Sequence, residues 1–170
     1  TQFLRGTPVA AITSIPEHGL IFATPKSAFV HDGTRPEEVS VGWGEIGGAP
    51  TTTSIGFISD GMDLLLITRD HGLFQLAPQE NEFRRLNFRE SRASQVVRNE
   101  VIYDFVHLSD LAKAAYLTEH WLIIHNLRSR DAQAFSLDSF ADSSGGSALV
   151  QLNGERVALV FNSGKVLDIT

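Results

Sequence analysis

The chain has 170 residues, about the size of one domain, and is 42% hydrophobic and 20% charged, a globular rather than a disordered mixture. Fourteen basic and 20 acidic side chains leave a net charge of −6, which disfavours broad attraction to nucleic acid or an anionic membrane. Cysteine is absent, so disulfides and thiolate metal sites are excluded. No apolar run approaches the ~18 residues that span a bilayer. The first residues, Thr1-Gln2-Phe3-Leu4-Arg5, lack the basic-then-apolar pattern of a signal peptide.

In chain order, Ser14-Ile15-Pro16-Glu17-His18-Gly19 reads as a turn into Leu20-Ile21-Phe22-Ala23-Thr24, and a second turn leads to Ala28-Phe29-Val30. This makes a hairpin over about 18–32. Three more hairpins are predicted over about 62–77, 112–127 and 155–169. Gly, Asn and Ser mark their turns, since Gly reaches positive φ without steric cost and Asn and Ser bond their own backbone. Their strands are short, nearly continuous apolar runs, the pattern of sheets buried on both faces. Further strands are predicted after the hairpins at 38–43, 82–88 and 133–137. Others precede them at 8–14, 53–58, 101–108 and 147–152. Residues 109–115 also carry a helical option with Ser109 as cap, but their register with Ser59-Asp60-Gly61 favours strand. The segments 42–50 and 138–146, rich in Gly or in Ser, Asp and Gly, read as connecting loops.

One pattern recurs at an offset of fifty residues. Ser59-Asp60 opens a run ending at Thr68, and Ser109-Asp110 opens a run ending at Thr118. Each is followed by a short polar turn and a second apolar run. Thr24 lies 44 residues before Thr68, and Asn162 lies 44 after Thr118. Such periods mark a repeat architecture. The expected class is all-β: about four four-stranded antiparallel units in a single domain over 1–170, with Leu20, Phe22, Leu64, Leu66, Phe74, Tyr116, Leu122, Leu159 and Phe161 in the core. Four-stranded units at ~40–50-residue spacing are the mark of β-propeller blades. Residues 3–11 are a candidate to pair with the last hairpin and close a small ring. The other possibility is that the chain is part of a larger propeller.

The stretch from Ser59-Asp60-Gly61 through Thr68 and Gly72-Leu73-Phe74 to Phe83-Arg84-Arg85-Leu86 resembles the repeat of two-component regulator propellers. In that repeat an aspartate-glycine turn precedes a strand ending in Gly-Thr, and a Gly-Leu-Phe or Gly-Leu-Tyr strand follows. Here Ile67 stands at the glycine position, and the third unit has Trp121-Leu122 where Gly72-Leu73 would be matched. No Gly-His or Trp-Asp signature of a WD40 array is present. The resemblance implies a propeller and, as one option, sensing of a small ligand.

Catalytic signals are sparse. The six histidines form no HExxH pair, and no cysteine accompanies them to complete a zinc-finger ligand set. No Gly-x-Ser-x-Gly elbow, phosphate-cradling glycine loop or EF-hand is present, and no cofactor is implied. His71 and His120 each follow an acid, Asp70 and Glu119, in matching turns. Brought to one rim, such pairs would suit acid–base chemistry, although polar residues in exposed turns account for the same pattern. The most uneven charge is Arg84, Arg85, Arg89, Arg92 and Arg98, with Phe83 and Phe88 among them. Arg and aromatic residues are favoured at protein interfaces. Together with Trp43 in its glycine-rich loop, the residues Phe83, Arg84, Arg85, Phe88, Arg89 and Arg92 form the candidate partner-binding set. A solvated outer strand and loop is the plainer account of them. The sequence thus favours a non-enzymatic module that binds a protein partner or self-assembles, without nucleic acid. Small-ligand sensing is the alternative, and a hydrolase or lyase using a rim His–carboxylate pair is the third reading.

Overall fold

The computed structural model describes residues 8–15, 19–24, 28–31, 33, 36–41, 54–60, 63–77, 82–140, 146–153 and 155–169. The predicted loop 42–50 with Trp43, and residues 3–7 of the proposed closing segment, lie outside them. The chain divides into two compact units, Thr1–Leu86 and Asn87–Thr170.

The first unit holds eight strands: β1 Ala11–Ile15, β2 Gly19–Ala23, β3 Ala28–His31, β4 Pro36–Val41, β5 Ser54–Asp60, β6 Asp63–Thr68, β7 Leu73–Ala77 and β8 Glu82–Arg85. They form two antiparallel four-stranded meanders, β1-β2-β3-β4 and β5-β6-β7-β8. The last two residues of β4, Ser40 and Val41, run parallel beside Glu82 and Phe83 and join both into one sheet. Side chains alternate across a strand, so every second residue of facing strands meets in one cluster. Ile21, Ala23 and Ala28 of the first meander pack with Leu64, Leu66, Phe74, Leu76 and Phe83 of the second. Leu20, expected in the core, is 47% exposed. It shares the face of Ile12 and Phe22, opposite the one that packs on the second meander.

In the second unit, β9 Asp104–Leu108, β10 Lys113–Leu117, β11 Trp121–Asn126 and β12 Ala132–Ser136 make a third four-stranded meander. The fourth sheet is three-stranded among the described residues, with β13 Gly146–Gln151, β14 Val157–Phe161 and β15 Val166–Ile169. Four strands were expected there. Leu108, Ala115, Leu117, Leu122 and Leu137 pack on Leu149, Val157, Leu159 and Phe161. The Asp104 carboxylate accepts a 2.8 Å hydrogen bond from the Leu149 amide between these sheets.

All four predicted hairpins form. At Ser109–Leu111 the chain makes one 3-10 turn, with no side-chain cap, ended by Ala112 in the left-handed region (φ 48°). The run from Lys113 onward is strand. No helix among the described residues is long and apolar enough to cross a membrane.

The repeated threonine has a physical reason. Thr24, Thr68 and Thr118 are three of the four buried polar residues among those described, with His125 the fourth. The Thr68 amide and hydroxyl both donate to the Gly72 carbonyl, at 3.0 and 2.6 Å. At Thr118 the amide donates to the Trp121 carbonyl, and the hydroxyl accepts from the Trp121 amide at 3.0 Å. The residue thus closes a hairpin turn inside the sheet, where an unmet polar group is costly. In the fourth sheet the corresponding bond runs from the Phe161 amide to the Lys165 carbonyl. Phe161, not Asn162, therefore occupies the repeat position there, and Phe161 itself brings no side-chain hydroxyl.

Candidate functional site

Six residues are added to the repeat between Thr68 and Thr118, relative to the 44 between Thr24 and Thr68. The structure shows what fills that interval: helix α1, Ser91–Asn99, which the sequence reading missed. Its signals are present in the chain. The Glu90 side chain caps the helix, accepting from the Arg92 amide at 2.8 Å and also from the Ala93 amide. Carboxylates are favoured there by the unpaired amides and the helix dipole. Ala93, Val96 and Val97, at helical spacing, are all buried. The Ser94 hydroxyl accepts from the Phe88 amide at 2.9 Å and donates to the Phe88 carbonyl at 3.0 Å, tying the helix to the segment before it.

The helix displays arginines. Arg92 is exposed, with its guanidinium 5.1 Å from the centre of the half-buried Trp121 ring. Arg98 is exposed and donates to the Asn87 side chain, while exposed Arg89 lies 3.8 Å from Asp131. The nearby acids are engaged by the fold: Glu90 caps α1, and the Glu100 carboxylate accepts from the Thr118 hydroxyl at 2.6 Å. Tyr103, four residues past the helix, is exposed, its amide donating to the Leu117 carbonyl.

Other members of the predicted set are distributed differently. Phe83 is fully buried in the first unit's core. Phe88 is 6% exposed, its ring edge-on to His125 at 4.7 Å between centroids. Arg85 is half-buried with its guanidinium 5.8 Å from the Phe74 ring centre. Arg84 is exposed on β8 and pairs with Glu82 at 3.5 Å. The exposed arginines of the predicted set are thus Arg84, Arg89 and Arg92, and the aromatic beside Arg92 is Trp121, which the sequence reading noted only as part of the repeat.

The predicted acid–imidazole pairs also resolve. His71 and Asp70 are half-buried in the turn between β6 and β7. His120 does not use Glu119; its Nδ1 lies 3.3 Å from Asp138 beyond β12, and both side chains are exposed. No group of three or more His, Cys, Asp or Glu is placed to hold a metal ion among the described residues.

A buried polar pair joins β10 and β11. The Tyr116 hydroxyl and His125 Nδ1 are 3.1 Å apart, and both residues are almost wholly buried. His125 Nε2 meets no hydrogen-bond partner among the described residues. Burial, then the positive charge of Arg130, lowers the His125 pKa to about 4, so the ring is neutral at pH 7. Burial pushes the Tyr116 phenol far upward.

No protein-family model matches the chain, and no curated protein matches its sequence. Its structure is similar to many solved ones. The extracellular domain of a hybrid two-component system from B. thetaiotaomicron matches 96% of this chain with a TM-score of 0.68 and 13% identity. The chain spans 23% of the length of that extracellular domain. The WD40 repeats of RRP9 match 96% of this chain and 51% of their own, at TM-score 0.58 and 8% identity. A streptogramin B lyase matches 95% of this chain and 54% of its own, at TM-score 0.55 and 10% identity. The chain has a β-propeller repeat fold.

Proposed function

We propose that this chain is a non-enzymatic propeller module that binds a protein partner through the surface around α1. The observation that carries this reading is Arg92 held exposed over Trp121 by a helix that is extra to the repeat. Structure beyond the repeat is where a shared fold acquires its particular task. Trp, Tyr and Arg are the residue types that dominate interface energetics. Glu90 and Glu100 are already bonded within the fold, and Arg89 and Arg98 already have partners, so the Arg92 guanidinium is the charge left on the helix to meet a partner. The test is an affinity capture comparing the unaltered chain with Arg92→Glu and Trp121→Ala. Both variants are expected to lose the captured partner by at least tenfold. Capture unchanged in both would sink the reading.

A second reading rests on His120 and Asp138, whose side chains meet at 3.3 Å in the open. A carboxylate beside an imidazole suits general acid–base work in a lyase or hydrolase, and one protein of similar fold is a lyase. His120→Asn and Asp138→Asn would each abolish such a reaction while leaving partner capture intact. A sensing role rests on likeness of fold alone, which many tasks share.

A further inference from the structure

Two non-glycine residues among those described have left-handed backbone, Ala112 (φ 48°) and Arg130 (φ 59°). A side chain there crowds its own carbonyl, so such residues are uncommon outside Gly, Asn and Asp. Ala112 has a reason in packing: it is buried and ends the 3-10 turn before β10. Arg130 has no such reason. It is exposed, and its guanidinium meets no hydrogen-bond or ion-pair partner among the described residues. Arg128 is likewise exposed, with its guanidinium unpartnered. The backbone that carries both is fixed by its own bonds. Asn126 Oδ1 accepts from the Arg128 and Ser129 amides at 3.0 and 3.1 Å. The Asn126 carbonyl accepts from the Arg130 amide at 2.9 Å, and the Ser129 hydroxyl accepts from the Asp131 amide at 3.3 Å.

This turn adjoins the surface around α1. Side chains alternate along β11, so Trp121 and His125 share one face of it. Arg92 lies over Trp121 and Phe88 against His125, so the segment entering α1 spans that face from Trp121 to the turn. Arg89 fastens it there, 3.8 Å from Asp131, the one acid of the turn. The Arg130 charge stays uncompensated: after burial, it is the second cause that lowers the His125 pKa. We infer that this turn is a second contact of the partner-binding surface, where Arg128 and Arg130 receive an acidic segment of the protein partner. The inference rests on the function proposed above and names the chemistry of the partner. A guanidinium offers a carboxylate paired N–H donors and holds its charge at any physiological pH. The preset backbone lowers the ordering cost of that contact. Backbone strain kept beneath an exposed, unpartnered side chain is explained by a task outside the fold. The net charge of −6 disfavours a phosphate polymer as the anion.

The probe is a fluorescently labelled oligoglutamate peptide, followed by anisotropy at low salt. The unaltered chain is expected to bind it, and the paired variant Arg128→Glu with Arg130→Glu to bind roughly tenfold more weakly or worse. Arg130→Gly separates binding from folding. It is expected to weaken peptide binding while raising the melting temperature by about 2–4 °C, because glycine relieves the left-handed backbone. Arg130→Lys keeps the strain and the charge, and is expected to retain part of the binding with no gain in melting temperature. An unaltered chain that does not bind the peptide overturns the inference. So does unchanged binding in the paired variant, or a lower melting temperature for Arg130→Gly, which would make Arg130 a residue of the fold. Tighter binding of a single-stranded DNA oligonucleotide than of oligoglutamate overturns it as well. Where Arg92→Glu and Trp121→Ala lose the captured partner but the paired turn variant keeps it, this inference falls and the proposed function stands.

Discussion

The second and third sheets place different chemistry at the same pair of positions. Leu66 faces Phe74 across β6 and β7, and Tyr116 faces Ile123 across β10 and β11. The turn between β10 and β11 is one residue shorter, so Leu76 and His125 correspond. Leu66 and Leu76 are buried hydrocarbon in the core of the first unit. Tyr116 and His125 are as deeply buried but bonded to each other, with one imidazole nitrogen unmet. One repeat therefore builds two interiors, one indifferent to pH and one that protonation attacks. The difference lies in two side chains and not in the backbone.

The largest effect expected from this contrast is acid sensitivity confined to the second unit. The folded-state pKa of His125, about 4, lies below its ordinary 6.5. Between these values the unfolded chain binds the extra proton and the folded chain does not. Stability is therefore full above pH 6.5 and falls as the pH drops toward 4. The total is roughly 3 kcal/mol by linkage. Urea melts at pH 7, 5.5 and 4.5 would measure it. The paired substitution Tyr116→Phe with His125→Leu copies the apolar solution of the second sheet. It is expected to remove this loss while changing stability at pH 7 little, since replacing both hydrogen-bond partners by apolar groups can be nearly neutral. A slope that survives in the double variant would place the sensitive group elsewhere.

The repeat itself was legible because turns and apolar runs are local. Gly72, Ser163-Gly164 and the threonines mark hairpins through backbone geometry and hydrogen bonds that close within a few residues. The surface around α1 was hidden for two reasons. The spacing of Ala93, Val96 and Val97 is brief and sits among arginines that read as solvated loop. The apposition of Arg92 and Trp121 joins residues on separate elements, which no local pattern encodes. Phe83 and Phe88 show the converse. Neighbouring arginines made them look like surface aromatics, yet alternation along β8 turns Phe83 inward while Arg84 turns out. The Leu20 expectation failed because exposure varies along one face: Leu20, at the start of β2, is exposed while Phe22, two residues on and on the same face, is buried.

A smaller effect separates the two matched threonines. Thr68→Val removes the hydroxyl bond to the Gly72 carbonyl, which still receives the Thr68 amide. The expected cost is about 1 kcal/mol. Thr118→Val also strips the Glu100 carboxylate of the hydroxyl it accepts and the Trp121 amide of its acceptor. The expected cost is about 2–3 kcal/mol, since hydrogen bonds to charged groups are worth more and the partners stay in place. Denaturant midpoints of the two variants give the comparison directly. Equal losses would mean that Glu100 adds nothing to the Thr118 turn.

The smallest effect concerns the two arginine–aromatic contacts, one in each unit. Arg85 lies over Phe74 and Arg92 over Trp121. Indole is the stronger partner for a cation, and exposed contacts of this type contribute about 0.5–1 kcal/mol. Arg92→Ala is expected to cost an amount in that range, with Arg92→Lys recovering only part of it, because lysine keeps the charge but loses the planar stack. The chain has two tryptophans, Trp43 and Trp121, so a Trp43→Phe background leaves Trp121 as sole reporter. Its emission is expected to shift to the red when Arg92 is truncated, since water then reaches the ring face the guanidinium covered. Arg85→Ala leaves that emission unchanged, because Phe74 is its aromatic partner. A red shift in the Arg85 variant, or none in the Arg92 variant, would show that Arg92 does not cover Trp121 in solution.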